Sequence, residues 1–91
     1  MVELRFTKHA LERLFERQIS PEECSTAYQQ GSVIESYPED TPFPSELRLG
    51  VVGQRVIHLV VARDAETVHV ITAYEPDSEL WTDGFTKRKE P

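Results

Sequence analysis

The chain reads as α+β, with two N-terminal helices packed on a small antiparallel β-sheet. Two patterns carry that expectation. Residues 7–31 hold two amphipathic segments with helix-capping residues at their starts. Residues 32–74 hold β-branched, apolar runs separated by a proline-rich stretch and by tight-turn residues.

Leu4 to Phe6 forms a short first strand, and Thr7 follows as the N-cap of the first helix. Along that helix His9, Arg13 and Arg17 recur every fourth residue and therefore stack on one face. Ala10, Leu11, Leu14 and Phe15 occupy the other face and are expected to be buried. The second helix begins sharply. Ser20-Pro21-Glu22-Glu23 is a capping box with proline at the first helical position. Ile19 and Cys24 stand where a hydrophobic staple would close, Cys24, Ala27 and Tyr28 form the buried stripe, and Gly31 stops the helix. Cys24 is expected to be a small core residue rather than a nucleophile.

Ser32 to Tyr37 alternates as a strand. Pro38 to Pro44 then holds three prolines and must be a loop, with Phe43 tucked back onto the core. Leu47–Val52, Arg55–Arg63 and Thr67–Tyr74 form a β-meander turned at Gly53-Gln54 and at Asp64-Ala65-Glu66. Glu75-Pro76-Asp77 ends the last long strand. A helical piece from Ser78 to Trp81 and a basic tail, Lys87-Arg88-Lys89, follow. One domain over residues 1–91 is expected, with a core at 2–77 and an extension at 78–91.

If Val52 pairs with Arg55 and Arg63 with Thr67, each sheet face collects a defined set of side chains. Leu47, Leu49, Val51, Val56, His58, Val60, Val68, Val70, Thr72 and Tyr74 fall on one face, expected to lie under the helices. Arg48, Ile57, Leu59, Val61, His69 and Ile71 fall on the other, expected to be an uncovered apolar patch. Arg48, Ile57, Leu59, Val61 and Ile71 are accordingly the candidate partner-binding residues.

Among 91 residues, 38% are hydrophobic and 29% charged, and the net charge is −6. No apolar run reaches membrane-spanning length, and the start lacks a signal peptide's apolar region, so a cytoplasmic location is expected. The charge is unevenly spread: residues 1–17 carry +1, residues 18–85 carry −9 and residues 86–91 carry +2. A small basic patch made by the chain's two ends is compatible with this, whereas a broad basic groove is not. Lys8, Lys87, Arg88 and Lys89 are its candidate nucleic-acid-binding residues.

Walker, dinucleotide-binding, HExxH and cysteine-zinc motifs are absent. His58 and His69 are assigned to opposite faces, so neither metal nor cofactor is expected. Metal-free phosphodiester chemistry fits the remaining groups. RNA brings its own 2′-hydroxyl nucleophile, so the protein must move two protons and stabilise developing negative charge. His9 could serve as acid or base, Arg13 and Arg17 could clamp the phosphorane, and Tyr74 could bond the phosphate or donate a proton. A salt-bridged helix surface, a non-catalytic protein-binding module or homodimer, and a simple anion receptor are the competing readings.

Phe6-Thr7-Lys8-His9-Ala10-Leu11-Glu12-Arg13-Leu14 with Arg17-Gln18-Ile19-Ser20, then Gly31 to Asp40, His58 to Ala62 and Val70 to Asp77, together resemble a family called domain of unknown function 4258. The resemblance runs from Phe6 to about Lys89. It implies a compact α+β unit similar in outline to the RelE, ParE and BrnT toxins of bacterial toxin–antitoxin pairs. It also implies an antitoxin partner encoded by a neighbouring gene. The acidic, lysine-poor composition departs from RelE-like ribonucleases. The expectation is thus a toxin-type small protein, acting as a metal-independent endoribonuclease through His9, Arg13, Arg17 and Tyr74.

Overall fold

The computed structural model describes residues 3–82 and 84–88. In chain order these form β1 (Glu3–Phe6), α1 (Lys8–Glu16), α2 (Pro21–Gln30), β2 (Ser32–Tyr37), β3 (Ser45–Val52), β4 (Arg55–Asp64), β5 (Thr67–Tyr74), β6 (Trp81–Thr82) and β7 (Lys87–Arg88). The main sheet has the order β1-β5-β4-β3-β2. It is antiparallel except at its edge, where β1 runs parallel to β5. β6 and β7 make a separate two-stranded ribbon.

Both helices start as their capping residues dictate. Thr7 Oγ1 accepts from Ala10 N at 3.0 Å, and the Ser20–Glu23 capping box closes in both directions at 2.9 and 3.0 Å. α1 stops in a Schellman motif centred on Gln18, which takes φ +57°. Gln18 N donates to Phe15 O at 3.2 Å and Ile19 N to Leu14 O at 2.9 Å. Leu14 and Ile19 are 1% and 3% exposed, so the hydrophobic contact of that motif joins the core. Gly31 ends α2 by a different means. Its backbone is extended, and a β-carbon there would stand 2.4 Å from both Ala27 O and Leu49 O.

The β3–β4 register is the expected one, with Val52 opposite Arg55. Two corrections follow, one in the next hairpin and one in the choice of face. The β4–β5 turn consists of Ala65 and Glu66, so Asp64 pairs with Thr67 and Arg63 with Val68 rather than Thr67. A bulge then offsets β5 at Ile71, and pairing resumes at Val60–Thr72. His69 therefore shares a face with His58, contrary to the expectation that they diverge.

The face given to the helices was also the wrong one. Ile57, Leu59 and Val61 are 0% exposed and pack under them with Val68, Val70 and Ala73. Ile57, Leu59 and Val61, expected to form an uncovered patch, are the centre of the core, whereas Val68 and Val70 are buried under the helices as expected. Arg48 is on this side as well: it donates to Tyr28 O and Gly31 O at 3.0 and 3.2 Å and lies 4.2 Å from the Tyr28 ring centroid. Arg63 Nη2 donates to Tyr28 Oη at 2.7 Å. Of the five candidate partner-binding residues only Ile71 is exposed, because it sits at the bulge. Apolar content does not discriminate between the faces; backbone access does. A β-carbon on Gly50 would come within 2.3 Å of Ala27 O, so only this face lets α2 settle directly on β3.

α1 buries less than its pattern promised. Ala10 and Leu14 are 1% exposed, but Leu11 is 43% and Phe15 86% exposed. Leu11 and Phe15 flank an open apolar groove between the ends of α1 and α2.

The opposite sheet face is partly covered by the chain's own C-terminal segment. Asp77 O accepts from Leu80 N and Trp81 N, so residues 78–80 make a single turn, not the expected helix to Trp81, and lead into β6. Trp81, 8% exposed, then seats on His58. No described helix is long and apolar enough to cross a membrane.

Candidate functional site

α1 runs beside the stretch of β5 that β1 leaves unpaired. β1 accompanies β5 only as far as Val70, so the outer edge of β5 is open from Ile71 onward. Arg17, the C-cap of α1, fills that edge. Its Nη1 donates to Ala73 O and to Thr72 Oγ1, each at 2.9 Å. One of the three expected column residues is therefore fixed by the sheet rather than by an acid.

Arg13 lies one turn back on the same face, half-exposed, with Glu16 Oε1 3.6 Å from its Nη1. That contact is long and solvated, and such pairs hold a side chain weakly. His9 is exposed a further turn back. Lys8, beside it, is exposed too.

Tyr74, next in sequence to Ala73, points across the uncovered face toward β4. Its hydroxyl lies 3.4 Å from His58 Nδ1. His58 Nε2 stands 2.8 Å from the carbonyl of Phe85, and a carbonyl only accepts, so Nε2 carries the proton. Nδ1 is then the acceptor and the Tyr74 hydroxyl the donor. Burial holds His58 below the usual imidazole range, opposed in part by the Phe85 bond. The Trp81 indole closes the assembly edge-on, 4.5 Å from the imidazole centroid.

Farther across the same face Tyr37 Oη donates to Glu35 Oε2 at 3.0 Å. Burial raises the Tyr37 phenol, reinforced by the Glu35 bond.

The site residues thus fall into two groups. His9, Arg13 and Arg17 share the α1 face, and Arg17 is joined to the strand that bears Tyr74. The Tyr74 hydroxyl itself is turned to His58 rather than to the column. Lys87 and Arg88 belong to β7, opposite Thr82 and Trp81, while Lys89 lies outside the described residues. The sequence places His58 only on the face meant for the helices. It is buried on the other face against Trp81, and it also holds the Tyr74 hydroxyl, which only the pairing of β4 with β5 reveals. Thr72 carried no signal of its own.

Cys24 is fully buried, and desolvation, followed by the neighbouring Glu23 charge, pushes its thiol up to about 11. It holds no reactive thiolate at neutral pH. Among the described residues no three His, Cys, Asp or Glu side chains converge as a metal site.

Residues 6–75 match the family described as domain of unknown function, DUF4258, and the chain belongs to it. The match takes in α1, α2, β2 to β5 with Tyr74, and only the last residue of β1. No curated protein and no solved structure matches the chain significantly.

Proposed function

We propose that this chain is a toxin-type small protein that cleaves RNA without a metal ion, at the junction of α1 and the end of β5. The observation that carries this reading is Arg17, held at 2.9 Å by Thr72 and Ala73 immediately before Tyr74, with Arg13 and His9 exposed along the same helix face.

In this reaction the 2′-oxygen bonds to phosphorus and the bond from phosphorus to the 5′-oxygen breaks. His9 takes the proton from the 2′-hydroxyl. Tyr74, once its hydroxyl leaves His58 and turns to the phosphate, gives its proton to the departing 5′-oxygen, and the protonated His9 returns one to it through solvent. Arg13 and Arg17 compensate the charge that accumulates on the phosphorane oxygens, where preorganised donors contribute most. Arg17 needs little reorganisation, because two sheet oxygens already set its plane. His58 acts on Tyr74 as a positioning residue. An antitoxin encoded nearby would silence the protein by covering the column.

The purified protein should cut RNA in excess chelator. His9→Ala should lose about a hundredfold or more of the rate, as removal of a general acid or base does. RNA that stays intact with and without ribosomes, or a His9→Ala variant that matches the parent, would overturn this reading.

A further inference from the structure

A second feature lies on the sheet face away from the helices, beside the start of α1. A cavity of about 290 Å³ opens between the start of α1 and the loop before β3. Ala62 and Ile71 form its floor, and Thr7 stands at its helix side. Phe43 and His69 line it as a pair stacked on each other, ring centroids 6.2 Å apart and planes within 9°, so a ligand ring can stack on the pair but not between them. At the remaining edge are Asp40 and Ser45. Ser45, 6% exposed, donates through its hydroxyl to Asp40 Oδ2.

Each part has a counterpart in a planar heterocycle. Flat aromatic walls take up a nucleobase by stacking, which is tolerant of sequence. The volume suits one such ring system, at the low end of small-molecule pockets, which start at about 300 Å³. The polar rim selects among bases. Ser45 spends its proton on Asp40, so the rim presents acceptors, and a carboxylate pairs best with adjacent N–H groups. Guanine offers two such donors on one edge, whereas uracil offers one flanked by carbonyls. Arg5, paired with Glu3 at 3.4 Å, lies opposite His69 in the β1–β5 register, and Lys8 follows Thr7 directly, so basic side chains stand near the cavity's helix side.

We infer that this cavity is a nucleobase subsite: Phe43 and His69 stack the base, and Asp40, oriented by Ser45, favours guanine. The inference rests on the ribonuclease reading only for the identity of the polymer; the pocket's own chemistry does not require cleavage.

The test is an NMR titration of the intact protein with guanosine 3′-monophosphate, uridine 3′-monophosphate and inorganic phosphate, run beside an RNA cleavage assay. Guanosine 3′-monophosphate should shift the amides of Phe43, Ala62 and Ile71 and bind about tenfold more tightly than the uridine nucleotide. Phe43→Leu keeps an apolar side chain but no π face, and should weaken binding about tenfold. Asp40→Asn, which can still accept from Ser45, should bring the two nucleotides close to equal. Shifts confined to residues 8–17 and reproduced by phosphate alone would overturn the subsite, as would equal binding of both nucleotides by the parent. The two readings separate cleanly. Guanosine binding with uncut RNA keeps the subsite and removes the ribonuclease. RNA cut with no base preference, equally by Phe43→Leu, removes the subsite and keeps the ribonuclease.

Discussion

The imidazole of His58 meets the indole of Trp81 at 90°, with centroids 4.5 Å apart. A side chain from the middle of β4 is thereby sealed by one that follows the main sheet in sequence. The contact buries a titratable ring completely. It also ties the C-terminal segment to the candidate site, because the same ring holds the Tyr74 hydroxyl.

Stability should depend on His58 protonation. Burial lowers its folded-state value below the ordinary 6.5. Below that ordinary value the unfolded chain binds a proton that the folded chain refuses. The contribution is therefore complete above about pH 6.5 and is lost progressively as the pH falls. The midpoint of thermal unfolding should drop between pH 7.5 and 5.5, and His58→Leu should remove that component. An unchanged midpoint in the parent would show that the ring is not held neutral by its surroundings.

The second prediction concerns the helix–sheet contact. Gly50→Ala places a β-carbon 2.3 Å from Ala27 O and 2.6 Å from Ala27 Cα. Both are backbone atoms, so relief requires α2 to move off β3. A loss of about 1–3 kcal/mol is expected, as for other overpacked cores. For a domain of this size that is roughly 4–8 °C of melting temperature per kcal/mol. A variant as stable as the parent would mean that α2 does not rest on Gly50.

Adjacent positions on α1 should behave oppositely. Leu14 is 1% exposed and Phe15 86%. Leu14→Ala should cost about 2–5 kcal/mol. Phe15→Ser should change stability by no more than about 0.5 kcal/mol, since it removes almost no buried surface. Chemical denaturation measures both, and equal losses would show that the helix is rotated from the orientation described.

A fourth expectation concerns acid. Arg55 links Glu23 at the start of α2 to Glu75 beyond β5, with contacts of 2.7 and 2.8 Å. The Glu23 carboxyl is held below its ordinary value, first by the Ser20 N–H of the capping box and also by Arg55, against opposing desolvation. Its contribution is present above the unfolded carboxyl value of about 4.3 and is lost as pH falls through the lower folded value. Unfolding of Glu23→Gln followed below pH 5 should show a weaker acid dependence than the parent. An identical acid limb would remove Glu23 as a source of it.

Local chemistry was legible in the residues alone. The Ser20–Glu23 box, the Thr7 cap, the buried Cys24-Ala27-Tyr28 stripe and the Val52–Arg55 hairpin all depend on neighbours a few positions away. So does the four-residue spacing that aligns His9, Arg13 and Arg17. Three other features depend on space rather than spacing. Both faces of β3 and β4 are apolar, so patterning could not choose between them; the closeness of Ala27 to Gly50 did. The Ala65-Glu66 turn brought His69 onto the face of His58, and with it the stacked Phe43–His69 pair, and the Ile71 bulge kept Thr72 and Tyr74 on that face. Finally, Trp81 and Phe85 reached back over His58, a contact between distant segments that no periodicity encodes. The chain's short-range interactions therefore specified which elements form, while long-range packing decided which sheet face became the core and which the C-terminal segment only partly covers.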